Sequence, residues 1–165
     1  MDEALNLPKL DRRKTQAAIE AAMEKYRIYK TITFEEREAR ITSSYSETRS
    51  GFTGTTSDST GQAAVYNVDM PAARAAYCER IERIVDRLND RERLLMRERY
   101  MKQDDVFDYK VYNHVFDPPI SKDTYVKVRT GAFYKMALTL SAAGLLPLGD
   151  LLTKEAVRKK SGRAE

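Results

Sequence analysis

SKDTYVKVRTGAFYKMALTL, residues Ser121–Leu140, decides how the rest of the chain is read. Ser121 suits a helix N-cap, because its hydroxyl accepts an orphan backbone N–H of the first turn. Stepping about 100° per residue from Tyr125 puts Val128, Ala132, Met136 and Leu140 on one side. Arg129 and Phe133 stand at the margin of that apolar side. Asp123, Lys127, Thr130 and Tyr134 fall opposite, flanked by Thr124, Gly131 and Lys135. One face is suited to a core, and the other offers hydrogen-bonding groups at spacings a DNA groove can use, as does many an ordinary solvated helix face.

The preceding residues sharpen this expectation. DDVFDYKVYNHVF, Asp104–Phe116, places Val106, Tyr109, Tyr112 and Phe116 at helical spacing. Asp117-Pro118-Pro119-Ile120 then stops the pattern, because a residue before proline is pushed out of the helical region. Helix, abrupt turn and capped helix with a polar outer face is the outline of a helix-turn-helix; an ordinary helical hairpin in a bundle has the same outline.

Charge is placed unevenly. The net charge is +4, yet residues 1–69 hold ten Lys/Arg against eleven Asp/Glu, residues 70–118 are balanced, and residues 119–165 hold nine against four. Positive charge gathered on the Ser121 helix and the tail is what phosphate neutralisation uses, although a basic tail that only aids solubility accounts for Arg158, Lys159, Lys160 and Arg163 equally well. At 165 residues the chain has room for one sizeable core, or a small domain with an appendage. No apolar run reaches the ~20 residues of a membrane span. The opening MDEALNLPKLDRRK has no apolar segment of a secretory signal, and the single Cys78 fits a reducing cytosol.

The expected architecture is all-α. An N-terminal helical unit (residues 1–41) begins with a helix capped by Asp11, whose Ile19, Ala22, Met23, Tyr26 and Tyr29 form an apolar stripe. Such a stripe meets the chain's own core or a twin subunit, so a homodimer through this helix is one expectation. TSSYSETRSGFTGTTSDSTG (Thr42–Gly61) contains six Ser, six Thr and three Gly and reads as a linker. Gln62–Val68 extends it as a short extended piece, making residues 42–68 the boundary segment. A helix-turn-helix bundle is expected over residues 69–152, with a basic tail at 153–165. In that bundle Asp69-Met70-Pro71 opens a helix with stripe Tyr77, Ile81, Ile84, Val85, Leu88. Asn89 and Glu92 then make a capping box for DRERLLMRERYM, where Leu94, Leu95 and Met101 are expected to face inward and Arg91, Arg93, Arg97 and Arg99 to dress the surface.

Catalytic and metal chemistry find little support. His114 is the only histidine and has no second Cys or His near Cys78, so a Cys/His zinc site is not expected. Asp104, Asp105 and Asp108 suit a helix start, where they oppose the dipole without any metal. No glycine-rich phosphate loop or nucleophile elbow occurs, and neither an enzyme nor a cofactor is expected.

Beyond these patterns, the chain resembles the ArpU family of phage-encoded transcriptional regulators. The likeness runs through Leu7-Pro8-Lys9-Leu10-Asp11, Lys14-Thr15, Glu24-Lys25-Tyr26-Arg27 and Ile41-Thr42-Ser43-Ser44-Tyr45-Ser46. It continues at Ala63-Ala64-Val65, Arg99-Tyr100, Ile120-Ser121-Lys122-Asp123-Thr124-Tyr125 and Ala132-Phe133-Tyr134-Lys135-Met136-Ala137. The last blocks are also similar to region 4 of bacterial sigma factors. The resemblance implies a cytoplasmic, double-stranded-DNA-binding activator of phage late genes, working with bacterial RNA polymerase. By position in the motif, Ser121, Lys122, Thr124, Lys127 and Thr130 are implied to face DNA; Arg129 and Tyr134 complete the candidate set. The chain departs from the family at Phe116-Asp117-Pro118-Pro119, where a short glycine turn is usual. The rival expectation is a helical scaffold or adaptor, as in phage packaging, working through the Ile19–Tyr29 and Tyr77–Leu88 stripes.

Overall fold

The computed structural model describes residues 7–43, 58–102 and 106–153, with side chains for 7–34, 70–102 and 106–153. Within them the protein is all-helical, as expected. Helix α1 spans Arg12–Ser43, α2 Asp58–Asp86, α3 Asp90–Met96, α4 Asp108–Lys110 and α5 Lys122–Ala142. α3 runs on as a π turn, Arg97–Met101, and α4 as another, Val111–Val115; a 3-10 turn, Leu148–Leu151, follows α5.

The chain divides into two compact units, one formed by Lys25–Arg83 and the other by Met1–Glu24 together with Ile84–Glu165. This corrects the expected boundaries. The residues around Leu10 belong with the C-terminal bundle, because backbone bonds tie them there: Asp11 N–H to Leu151 O (2.7 Å) and Thr153 N–H to Lys9 O (3.1 Å). Leu10 and Leu152 form an isolated antiparallel bridge. The boundary segment 42–68 is also revised. Residues 44–57 lie outside the described residues, but Gln62–Val68 is helical, and Pro71 sits inside α2 instead of opening it. Gln62, Ala63 and Ala64 are good helix formers and carry the helix back past the proline, which forfeits one backbone bond.

Local capping follows the sequence closely. Asp11 Oδ1 accepts from the Lys14 backbone N–H at 3.0 Å, and that bond is the main reason its carboxyl lies below the ordinary aspartate value. Asn89 accepts from the Glu92 N–H (2.9 Å) while Glu92 accepts from the Asn89 N–H (3.3 Å), closing the expected capping box. Ser121 caps α5 by accepting from the Thr124 N–H at 3.2 Å. At the far end of α5, Gly144 takes φ +72°, the left-handed conformation that spares it a Cβ clash. Leu145 N–H then reaches Leu140 O and Gly144 N–H reaches Ser141 O, each at 2.9 Å, which satisfies the last carbonyls in a Schellman arrangement.

In the unit that carries α5, the core is built by Ile19, Met23, Leu95, Met96, Tyr100, Val111, Phe116, Tyr125, Ala132, Phe133, Met136, Ala137, Leu140 and Leu151. Along α5 the buried arc centres between Tyr125 and Phe133, so Val128, expected in the core, is only half-buried. α4 differs as well. It begins at Asp108 and widens into a π turn, with Phe116 N–H bonded to Val111 O at 3.3 Å, so Val111 and Phe116 face the core while Tyr109 stays exposed. In the α3 segment Leu95, Met96 and Tyr100 are buried, whereas Leu94 and Met101 are half-buried.

α3 lies along α5. Glu92, only 5% exposed, receives both bonds of Lys135 Nζ, at 2.8 and 2.9 Å. Gly131 permits this approach, since a Cβ there would stand 3.0 Å from Glu92 Oε1.

The second unit is held by a smaller cluster. Tyr26 donates to Glu82 (2.8 Å), which also pairs with Lys30 (2.6 Å), and Tyr29 meets Tyr77 edge-on at 5.4 Å. Cys78 is buried beside the Tyr26 carbonyl, and burial raises its thiol pKa, consistent with a packing role.

Asn89→Ala removes the side-chain half of the capping box and should lower stability by about 1 kcal/mol. Urea unfolding followed by circular dichroism measures it; an unchanged midpoint would mean that the cap does not contribute.

Candidate nucleic-acid interface

The geometry around α5 sorts the candidate residues into two groups. Ser121, Lys122 and Lys127 are exposed and Thr124 is half-exposed, all within the first two turns. Neither Lys122 nor Lys127 is ion-paired among the described residues. The Ser121 and Thr124 hydroxyls share a hydrogen bond of 2.9 Å and retain further donor and acceptor capacity. Exposed Asp123 and Val126 interrupt this surface.

The other candidates are engaged inside the protein. Arg129, expected at the margin of the apolar face, lies in the middle of the buried arc, with its side chain 17% exposed. Its guanidinium donates to Asp108 Oδ2 at 2.7 Å. Asp108 also receives Arg99 Nε (2.8 Å) and the Tyr125 hydroxyl (3.0 Å). Burial raises the cost of ionising Asp108, but bonds from Arg99 and Tyr125 and the charge of Arg129 outweigh it and hold the carboxyl below the ordinary aspartate range. Asp108 is therefore the acceptor that joins α3, α4 and α5, a larger role than that of a helix-start acid; Arg99, expected to dress the surface, is bound by it. Asp104 and Asp105 lie outside the described residues.

Tyr134, read as part of the outer polar face, is half-buried and donates to the Pro8 carbonyl at 2.9 Å. Thr130 is half-buried and donates to Val126 O in its own helix at 2.8 Å. Both line a cavity of about 160 Å³ together with Arg12, Thr15, Val126 and Arg129. The structure thus leaves Ser121, Lys122 and Lys127 exposed and Thr124 half-exposed in the first two turns of α5, Thr130 half-buried beyond them, and spends Arg129 and Tyr134 on internal bonds.

Position in the helix was a signal for Arg129, four residues after Tyr125 and four before Phe133, both buried. Nothing local announced the Pro8–Tyr134 bond. Sequence reading also passed over Arg12 and Arg13, which are exposed at the start of α1.

Among the described residues no group of His, Cys, Asp or Glu could hold a metal ion, and no helix is long and apolar enough to cross a membrane. Compared with protein-family models, curated proteins and solved structures, the chain matches none of them.

Asp108→Asn keeps the shape and removes the charge. Its side chain is 37% exposed, so the expected loss is about 2 kcal/mol, between the worth of surface pairs and that of buried ones. Because the folded pKa is depressed, the carboxylate's contribution is complete above the ordinary aspartate pKa and vanishes as pH falls through the lowered value. Stability measured from about pH 7 to about pH 2 should therefore fall more steeply for wild type than for D108N. Parallel curves would remove Asp108 from the acid response.

Proposed function

We propose that this protein is a sequence-specific, double-stranded-DNA-binding transcription regulator that offers the N-terminal half of α5 to a DNA groove. The observation that carries the reading is the free surface of Ser121, Lys122, Thr124 and Lys127 on an N-capped helix, preceded by a short helix and a tight turn. Recognition helices contact bases chiefly through their N-terminal residues, which is the end of α5 left uncovered. The turn is closed by the Ile120 N–H donating to Tyr112 O at 3.0 Å, and Tyr112 packs on Tyr125 with ring centroids 5.6 Å apart. The two prolines are thus compatible with a defined helix–turn–helix connection. The resemblance to ArpU regulators and to sigma-factor region 4 supports the same assignment, as an activator of phage late genes acting with bacterial RNA polymerase.

In this reading Lys122 and Lys127 contact phosphate or guanine, Thr124 makes a shorter base-edge or phosphate contact, and Ser121 caps α5 while remaining within reach of a phosphate. Thr130 contributes at the edge. Arg129 and Tyr134 act through the fold. The adaptor alternative relied on two apolar stripes, of which Ile19, Met23, Tyr26, Ile81, Ile84, Val85 and Leu88 are buried within a single chain, with Ala22, Tyr29 and Tyr77 half-buried.

Selection of bound sequences from random duplexes should enrich a motif, and an unenriched pool would oppose the reading. On the enriched duplex Lys127→Ala should cost roughly 1 to 3 kcal/mol if the lysine reads a base, with a smaller loss on a scrambled duplex. Equal affinity of wild type and variant for both duplexes would take Lys127 out of the interface.

A further inference from the structure

The first turn of α1 carries an unusual charge arrangement. Lys9, Arg12, Arg13 and Lys14 are all exposed, and Asp11 is the acid among them. The acid that meets the helix dipole is Asp11, just before the first turn, and the turn itself holds only cations among its charged residues. Asp11 turns its carboxylate to the backbone N–H of Lys14, and Lys14 Nζ donates to Asp150 O at 3.2 Å. Arg12 and Arg13 have no ion pair among the described residues. Asp11, whose carboxylate interacts with Lys14 and Arg13, offsets only part of this charge, and the excess of cations is what an external polyanion neutralises.

This turn is fixed beside α5 within the same unit. Asp11 N–H bonds Leu151 O, Leu10 bridges Leu152, and Tyr134 holds the Pro8 carbonyl. Arg12 lines the same cavity as Val126 and Thr130, which flank Lys127 along α5. Arg12 is therefore held beside the proposed recognition surface, with Arg13 exposed next to it on the same anchored turn, so binding a phosphate costs little backbone ordering.

We propose that Arg12 and Arg13 form a second, backbone-contacting arm of the duplex-binding surface, neutralising phosphates that flank the groove entered by α5. The inference rests on the DNA-binding reading of α5 and extends it to the other end of the chain. The arm positions the protein and carries no sequence information, because phosphates look alike at every base step. Guanidinium groups suit this task through their bidentate donors.

The test is fluorescence anisotropy of the full chain with a labelled mixed-sequence duplex across a salt series. Arg12→Ala/Arg13→Ala should flatten the plot of log affinity against log salt by roughly 1.8, at about 0.9 for each phosphate no longer neutralised. The change should be the same on enriched and scrambled duplexes, and Arg12→Lys/Arg13→Lys should restore most of the slope. Circular dichroism of each variant checks that α1 is retained. A wild-type slope in R12A/R13A, alongside a flattened slope in Lys122→Ala/Lys127→Ala, would overturn the arm and leave the α5 reading standing. Wild-type protein that binds no duplex would overturn both.

Discussion

A single carboxylate, that of Asp108, holds the α5 unit in its working arrangement. It accepts from Arg99 beyond α3 and from Tyr125 and Arg129 on α5, while belonging itself to α4. A half-buried charge is costly unless donors share it, and here two cations and a phenol do so. The node fixes α4 against α5 and sets the rotation of α5 about its own axis. Arg129 must then face inward, and the residues on the opposite side of the first two turns must face outward. Lys127, two residues before Arg129 and so on the opposite side of α5, is free as a geometric result of that rotation; Lys122 is exposed as the first residue of the helix.

The features legible in the sequence were those decided within a few residues. The caps at Asp11, Asn89 and Ser121 depend on a side chain reaching a backbone N–H three positions away, and all three formed. The interior of α5 was mostly legible from spacing. Its exact rotation was not, because charge marked Arg129 for the margin although its position lay inside the buried arc; only a distant acceptor made burial possible. On α4 the expected stripe holds at Phe116, which is buried, and in part at Tyr112, whereas Tyr109 is exposed and Val111, off that stripe, is buried, because the π turn brings Val111 and Phe116, five residues apart, onto one side. Gln62–Val68 is helical although Pro71, by its residue type, marks the start of a helix, because α2 runs through the proline. The return of the Leu10 segment to Leu151 and Leu152 is carried by backbone groups, which every residue has, so no residue type signals it.

Coverage of α5 explains how much of the candidate surface survived. α3 approaches one flank through Glu92, Gly131 and Lys135, and the chain's N-terminal segment covers another through Tyr134. What remains is the first two turns of α5, where Lys122 and Lys127 stand uncovered and without an ion pair among the described residues. The same N-terminal segment that closes over Tyr134 delivers Arg12 and Arg13 to the neighbourhood of that free end. Structural anchoring and charge delivery are served by one short piece of chain.

The pairing of Leu10 with Leu152 has a consequence for biosynthesis. Lys25–Arg83 is continuous, so all of its parts are present soon after it leaves the ribosome. The unit bearing α5 must instead wait for its most distant parts, since Asp11 finds its acceptor on Leu151 only once that residue has been translated. Nascent or prematurely terminated chains therefore lack the bridge between Leu10 and Leu152 and the bond from Asp11 to Leu151 that close this unit.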